Sequence, residues 1–254
     1  MATSPVIAAV VSLETDQVEL TQTVALLARA LGCSVRLVHI GGERDETGAR
    51  SLADWFAGQG VSARVDWIEG RPPACFLELA PPVTLLALGT AGPDAPDALG
   101  AVTLGAIRHA PLPTLVVPAG GRLPARSRWR VLFPTDFTEL ASGALAPLAR
   151  LCDELEAEVE LLHVVRATAD AAHVETALGR LQGVVVPTAR AVRHHVVLGS
   201  HVGPAIVAEA DRLRCDLIVL PTHHRSGLAG ILRPSVAEAV ARCADRPVLV
   251  LRSA

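Results

Sequence analysis

Three stretches of this chain combine residue types that could hold a polar ligand, two of them an anionic group. Gly89-Thr90-Ala91-Gly92 follows a short apolar run, and Leu99-Gly100-Ala101 opens the helical pattern after it. Glycines there let backbone amides approach a phosphate, and a helix N-terminus favours negative charge; a plain turn is the competing reading of Gly89, Gly92 and Gly100. Pro221-Thr222-His223-His224-Arg225-Ser226-Gly227, with Pro234-Ser235 opening a helix, takes the corresponding place later in the chain. Proline lacks a backbone N–H, so Pro221 and Pro234 remove two potential phosphate donors. Arg225 could still meet a phosphate or stand solvated, and Ser235 could donate its hydroxyl or cap the helix. In the third stretch, Pro134-Thr135-Asp136-Phe137-Thr138-Glu139, the Asp136 carboxylate follows a strand. It could accept hydrogen bonds from a ribose or a base, or cap the helix after it.

Other chemistry has less support. His194 and His195 are neighbours on one strand and point to opposite faces, so with His201, His223 and His224 they make a poor metal set; no metal ligand is expected. Ser226 lacks the G-x-S-x-G elbow, and no activated nucleophile or acid–base pair emerges, so no catalytic residue and no enzyme activity is expected. The five cysteines are scattered without C-x-x-C spacing, which fits a reducing cytoplasm. Net charge is −3, and the one basic cluster, Arg122, Arg126, Arg128 and Arg130, is too small a footprint for nucleic acid. No apolar run approaches the roughly 20 residues of a membrane span.

The elements that must position these loops come in two sets, because the chain repeats itself. Val35-Arg36-Leu37-Val38-His39 returns as Val159-Glu160-Leu161-Leu162-His163, and Leu85-Leu86-Ala87-Leu88 returns as Leu217-Ile218-Val219-Leu220. The offset drifts from 124 to 132, and to 134 where His109 meets Cys243, so a few small insertions relate the copies. Each copy alternates β-branched runs with helical patterns, which predicts right-handed βαβ units around a parallel sheet. Strands are expected at 6–11, 34–40, 62–68, 84–88 and 114–117, then at 130–135, 158–164, 191–197, 216–220 and 247–251. Helices are expected at 21–31, stopped by Gly32, and at 49–56, 72–79 and 98–109, then at 139–155, 169–181, 204–213 and 235–244. With 50% hydrophobic residues and 3% aromatic, both cores must be aliphatic. The fold class is α/β: two tandem Rossmann-like domains, each a five-stranded parallel sheet flanked by helices. Domain 1 is expected over residues 1–118 and domain 2 over 129–254, with Gly- and Arg-bearing residues 119–128 as the linker and Trp129 anchoring the second domain.

Several of these motifs, in this order, resemble the universal stress protein family over nearly the whole chain. They are the Pro134–Glu139 stretch, the Gly199 loop after a third strand, Thr222 to Leu228, Ser235-Val236-Ala237-Glu238 and Pro247-Val248-Leu249-Val250, with Leu99-Gly100-Ala101-Val102 and Arg108 to Val117 in the first copy. The resemblance implies a cytoplasmic stress-response protein that binds ATP or a related adenine nucleotide, with magnesium, without rapid turnover. It implies a pseudo-dimer within the chain, its fifth strands meeting, and further homodimerisation as an open expectation. ATP-binding members carry G-x2-G-x9-G-(S/T) and an Asp after the first strand. The first copy has Gly89 and Gly92, but seven residues rather than nine before Gly100, Ala101 in place of the hydroxyl, and Ser12 in place of Asp. The second keeps Asp136, the spacing and Ser235, with Pro221, His224 and Pro234 at the glycine positions. The implied ligand residues are thus Asp136, Gly199, Arg225 and Ser235, or Gly89, Gly92 and Gly100. The alternative is a nucleotide-independent interaction or scaffold protein with degenerate nucleotide sites.

Overall fold

The computed structural model describes residues 5–12, 17–41, 44–70, 74–77, 79, 82–90, 99–124, 128–222 and 235–252. The chain divides into two compact units, Met1–Leu123 and Pro124–Ala254. Unit 1 runs β1 (Val6–Val10), α1 (Val18–Ala30), β2 (Ser34–Ile40), α2 (Glu46–Gly58), β3 (Ala63–Ile68), α3 (Ala74–Leu77), β4 (Val83–Gly89), α4 (Ala101–His109) and β5 (Thr114–Val117). Unit 2 runs β6 (Arg130–Pro134), α5 (Glu139–Gly143), α6 (Leu145–Glu154), β7 (Glu158–Arg166), α7 (Ala171–Gln182), β8 (Ala191–Gly199), α8 (Val202–Leu213), β9 (Leu217–Thr222), α9 (Val236–Cys243) and β10 (Val248–Arg252). Among the described residues no helix is long and apolar enough to cross a membrane.

All pairings within each unit are parallel, in the order β3-β2-β1-β4-β5 in unit 1 and β10-β9-β6-β7-β8 in unit 2. These are two tandem doubly wound domains, as the alternating pattern predicts. Right-handed crossovers place α6 and α7 on one face of the second sheet and α8 and α9 on the other. The inner strands are therefore covered on both sides: Ile7, Leu37, Leu86 and Leu115 in unit 1, and Val131, Phe133, Leu161 and Val219 in unit 2, are all buried. Each such side chain contributes about 1.5–3 kcal/mol of transfer free energy.

Local chemistry sets the element ends. Gly32 stops α1 with φ 61°, in the left-handed region that a helix stop requires. Asp45 and Asp170 cap α2 and α7 by accepting from Gly48 N and His173 N. The single helix expected over 139–155 is two helices broken at Ala144. Pro147 has no N–H to return to the Gly143 carbonyl and its ring crowds that turn, so the apolar period continues while the helix does not. Strand β9 extends through Pro221 and Thr222, which pair with Leu251 and Arg252; Pro221, expected in a loop, is a strand residue. Trp129 is buried, and its carbonyl accepts from Glu158 N at the start of β7.

Candidate functional site

A cleft of about 260 Å³ opens at the carboxyl ends of β6, β7 and β9. Strand order reverses beside β6, and this is where open α/β sheets bind ligands. Backbone chemistry explains why it opens here. In a parallel ladder alternate residues address opposite neighbours. Thr135 N donates to Leu162 O of β7, so the N–H of Pro134 would have pointed at β9. Ile218 N donates to Pro247 O on the β10 side, so the N–H of Pro221 would have pointed at β6. Neither proline has one, and the β6–β9 pairing ends at Leu132–Ile218, whereas β1 and β4 stay paired through Val10–Leu88. The prolines part the central strands and the gap is the cleft.

Asp136 lines it and is exposed. Its Oδ1 accepts from Thr138 N at 3.1 Å and from Thr138 Oγ1 at 2.6 Å, an Asx turn rather than the helix cap weighed from sequence. Among the described residues Oδ2 has no protein partner. Opposite stands the start of α9. Ser235 Oγ caps it by accepting from Glu238 N at 3.1 Å, leaving the hydroxyl proton and the first N–H groups of α9 facing the cleft. Val164, Val202 and Ile206 supply apolar wall, and Val202 and Val236 are each 44% exposed at its mouth.

Sequence reasoning did not single out His163, which also lines the cleft. Its Nδ1 lies 2.7 Å from the Thr135 carbonyl oxygen. A carbonyl only accepts, so the ring proton is on Nδ1 and Nε2 is an acceptor in the neutral ring. The repeat marks the position, since His163 matches His39, but not its role as an acceptor. Phe137, also passed over, has φ 61°, and its ring lies 4.5 Å from the His163 ring between centroids, with the Arg180 guanidinium carbon 4.1 Å from its centroid.

Gly199, at the end of β8, is placed by packing. A Cβ there would come within 2.9 Å of both Val164 Cγ1 and Ala205 Cβ, so the glycine lets α8 close on β7 beside the cleft wall. In unit 1, Gly89 ends β4 and accepts from Thr103 Oγ1 at 2.6 Å through its carbonyl, while Gly100 is the N-cap residue of α4. Arg225, Gly92, His223, His224 and Pro234 lie outside the described residues.

Away from the cleft, His194 and His195 take opposite faces. His195 Nε2 meets the buried Glu160 at 2.7 Å and its Nδ1 lies 3.7 Å from Glu209, while His194 Nε2 is buried with no hydrogen-bond partner. Cys152 and Cys215 are packing residues, and burial pushes both thiols up to about 12.

The sequence model of the universal stress protein family matches residues 128–252. No curated relative matches the sequence. Among solved structures, the chain is similar to a universal stress protein from Archaeoglobus fulgidus DSM 4304 at 17% identity and TM-score 0.73, over 98% of this chain and 96% of that one. It is also similar to a functionally unknown protein from Pseudomonas aeruginosa PAO1 at 21% identity and TM-score 0.70, over 98% and 92% respectively. At these identities the likeness is one of fold, and it spans both units.

Proposed function

We propose that this chain, whose residues 128–252 match the universal stress protein family model, is a member of that family and that unit 2 reversibly binds an adenine nucleotide in the cleft between β6 and β9. The observation that carries this reading is Asp136: one carboxylate oxygen holds the turn, and the other has no partner among the described residues at the switch point of the sheet. In the proposed complex Oδ2 accepts from a ribose hydroxyl. His163 Nε2, an acceptor because Nδ1 is spent on Thr135, suits the amino group of adenine. Val164, Val202 and Ile206 cover the faces of the base. The Ser235 hydroxyl and the N-terminus of α9 suit a phosphate.

The described residues thus fit a nucleoside well and a triphosphate in part. Asp136 is the single carboxylate among the described lining residues, so magnesium would arrive on the phosphates and keep most of its water. The reading is of a binder. Ser235 Oγ is engaged as a cap, and among the described residues no base lies within hydrogen-bond reach of it.

Calorimetric titration tests this with adenosine and with ATP plus magnesium, on the wild type and on Asp136→Ala and Asp136→Asn. We expect saturable binding of both ligands and a loss of roughly tenfold for Asp136→Ala. That is about 1.4 kcal/mol, the low end for a hydrogen bond to a charged group, because Asp136 is exposed. Asp136→Asn keeps the Oδ1 turn and separates loss of the ligand contact from loss of the loop. Absence of heat with either ligand would overturn the proposal in favour of a nucleotide-independent interaction protein.

A further inference from the structure

We propose that unit 2 carries a second ligand site, independent of the nucleotide reading: a groove between α7 and the end of β7 that takes a small organic anion with a flat apolar body, such as an aromatic carboxylate, sulfonate or phosphate ester. The groove measures about 730 Å³, within the range that accommodates small-molecule ligands. It lies on the α7 side of the sheet, away from α8 and α9, and meets the first cleft at His163 and Val164.

Its lining has two parts. The floor is apolar, from Val164, Val165, Ala169, Ala172 and Ala177. The rim holds Arg166, His173 and Arg180. Among the described residues neither arginine has a carboxylate partner. Asp170, next to the rim, is committed to His173, with Oδ1 2.6 Å from Nδ1 and 3.0 Å from the backbone N. That contact leaves His173 Nε2 to address a ligand. The Arg180 guanidinium carbon stands over the Phe137 ring, 4.1 Å from its centroid. A guanidinium held on an aromatic face keeps its N–H edge outward for an anion. Phe137 forms the end wall in a left-handed backbone conformation that costs a non-glycine residue on the order of 1 kcal/mol or more.

The repeat supplies an internal control. Asp45 and Asp170 align α2 with α7 at an offset of 125, so Gly48, Ser51, Leu52 and Trp55 correspond to His173, Thr176, Ala177 and Arg180. Those four unit 1 residues line a crevice of about 420 Å³ that opens between α2 and α1, beside Val11 and Ser12, rather than over the end of β2. A crevice against this helix face is common to both units. The charge is not, because the described lining in unit 1 is uncharged. Where unit 1 has Leu52 and Trp55, unit 2 has Ala177 and Arg180, a smaller side chain and a cation, so the groove of unit 2 is wider at this face and positively charged.

The test uses 8-anilinonaphthalene-1-sulfonate, an aromatic anion whose fluorescence rises on apolar burial, titrated into the full-length protein. We expect saturable enhancement at one site per chain. It should weaken at least tenfold in Arg166→Gln/Arg180→Gln and vanish in Ala172→Trp, which fills the groove from an exposed helix position. It should be unchanged in Val202→Trp, which fills the first cleft, and the neutral analogue N-phenyl-1-naphthylamine should bind at least tenfold more weakly. No saturable binding, full binding in Arg166→Gln/Arg180→Gln, or loss in Val202→Trp with retention in Ala172→Trp would each overturn the proposal. Equal binding of the neutral analogue would overturn its anionic part. None of these outcomes depends on whether ATP binds, so this site and the nucleotide site can fail separately.

Discussion

Arg246 offers the sharpest test of how unit 2 is held together. Its side chain is only 2% exposed. Nη1 donates to the carbonyls of Ala210 and Cys215, each at 2.8 Å, and Nη2 reaches Asp211 and Asp245. One guanidinium thus ties the end of α8, the entry to β9 and the turn before β10. Replacement by alanine would affect these partners unequally. Asp211 and Asp245 are 45% and 39% exposed, so water takes over their solvation at little cost. The Cys215 carbonyl loses its buried donor, at about 1–3 kcal/mol, the Ala210 carbonyl keeps the Cys215 N–H at 2.9 Å and loses less, and the vacated stem leaves unfilled volume. We therefore expect Arg246→Ala to destabilise unit 2 by about 3 kcal/mol. With a urea slope of about 2 kcal/mol/M, the midpoint falls by roughly 1.5 M. Because the two units need not unfold together, the assay should report on one of them. Trp55 and Trp67 lie in unit 1 and Trp129 in unit 2, so urea melts followed by tryptophan fluorescence in a Trp55→Phe/Trp67→Phe background isolate unit 2. Arg246→Met restores the stem but not the donors, and should recover less than half of the loss. A midpoint shift below about 0.3 M for Arg246→Ala would refute the reasoning, since it would mean that the Cys215 carbonyl finds water without cost.

Two further expectations follow from particular side chains. Gly199→Ala puts a methyl group 2.9 Å from Val164 and Ala205, so it should cost about 1–3 kcal/mol in the same urea assay and shift the cleft wall at Val164, weakening nucleotide binding; an unchanged midpoint would remove the packing argument. The thiols of Cys152 and Cys215 titrate at about 12 in the fold against 9 for the free group, so their contribution to stability is complete below pH 9 and is lost as pH rises toward 12. A thiol reagent such as a disulfide-exchange dye at pH 8 should accordingly modify exposed Cys243 long before either of them, and equal rates would contradict the burial.

The two-unit architecture was legible because its signal is redundant: ten apolar runs, the helices between them and an internal copy all point one way. The failures were of another kind. The apolar period over 139–155 runs on across Ala144, and only the backbone chemistry of Pro147 breaks the helix. Pro221 reads as a loop residue from its type, yet its missing N–H falls where β9 has no partner to donate to, so the strand keeps it. Asp136 was legible from its motif. His163 was not, because its value as an acceptor depends on a contact with Thr135 made only after β6 and β7 pair. Phe137 was not either, since nothing in a phenylalanine announces a positive φ. Arg225 and Gly92 lie outside the described residues, so the phosphate half of the site stays where the motif left it.

The repeat also changes the meaning of the two prolines. Compared only with a glycine-rich pattern, Pro221 looks like a lost donor and Pro134 has no counterpart. In the ladder they are the two positions whose N–H groups would have closed β6 against β9. Unit 1 shows the other outcome: Val10 takes the place of Pro134 and Gly89 that of Pro221, and β1 stays paired with β4 through Val10 and Leu88. His39, the counterpart of His163, has its Nδ1 buried without a partner and its ring edge-on to Trp67 at 5.1 Å. The same histidine in the same fold thus faces a closed strand end in one unit and an open cleft with a free carboxylate in the other. What separates them is a pair of missing backbone donors and an Asp in place of Ser12, so the two prolines shape the base of the second-unit cleft.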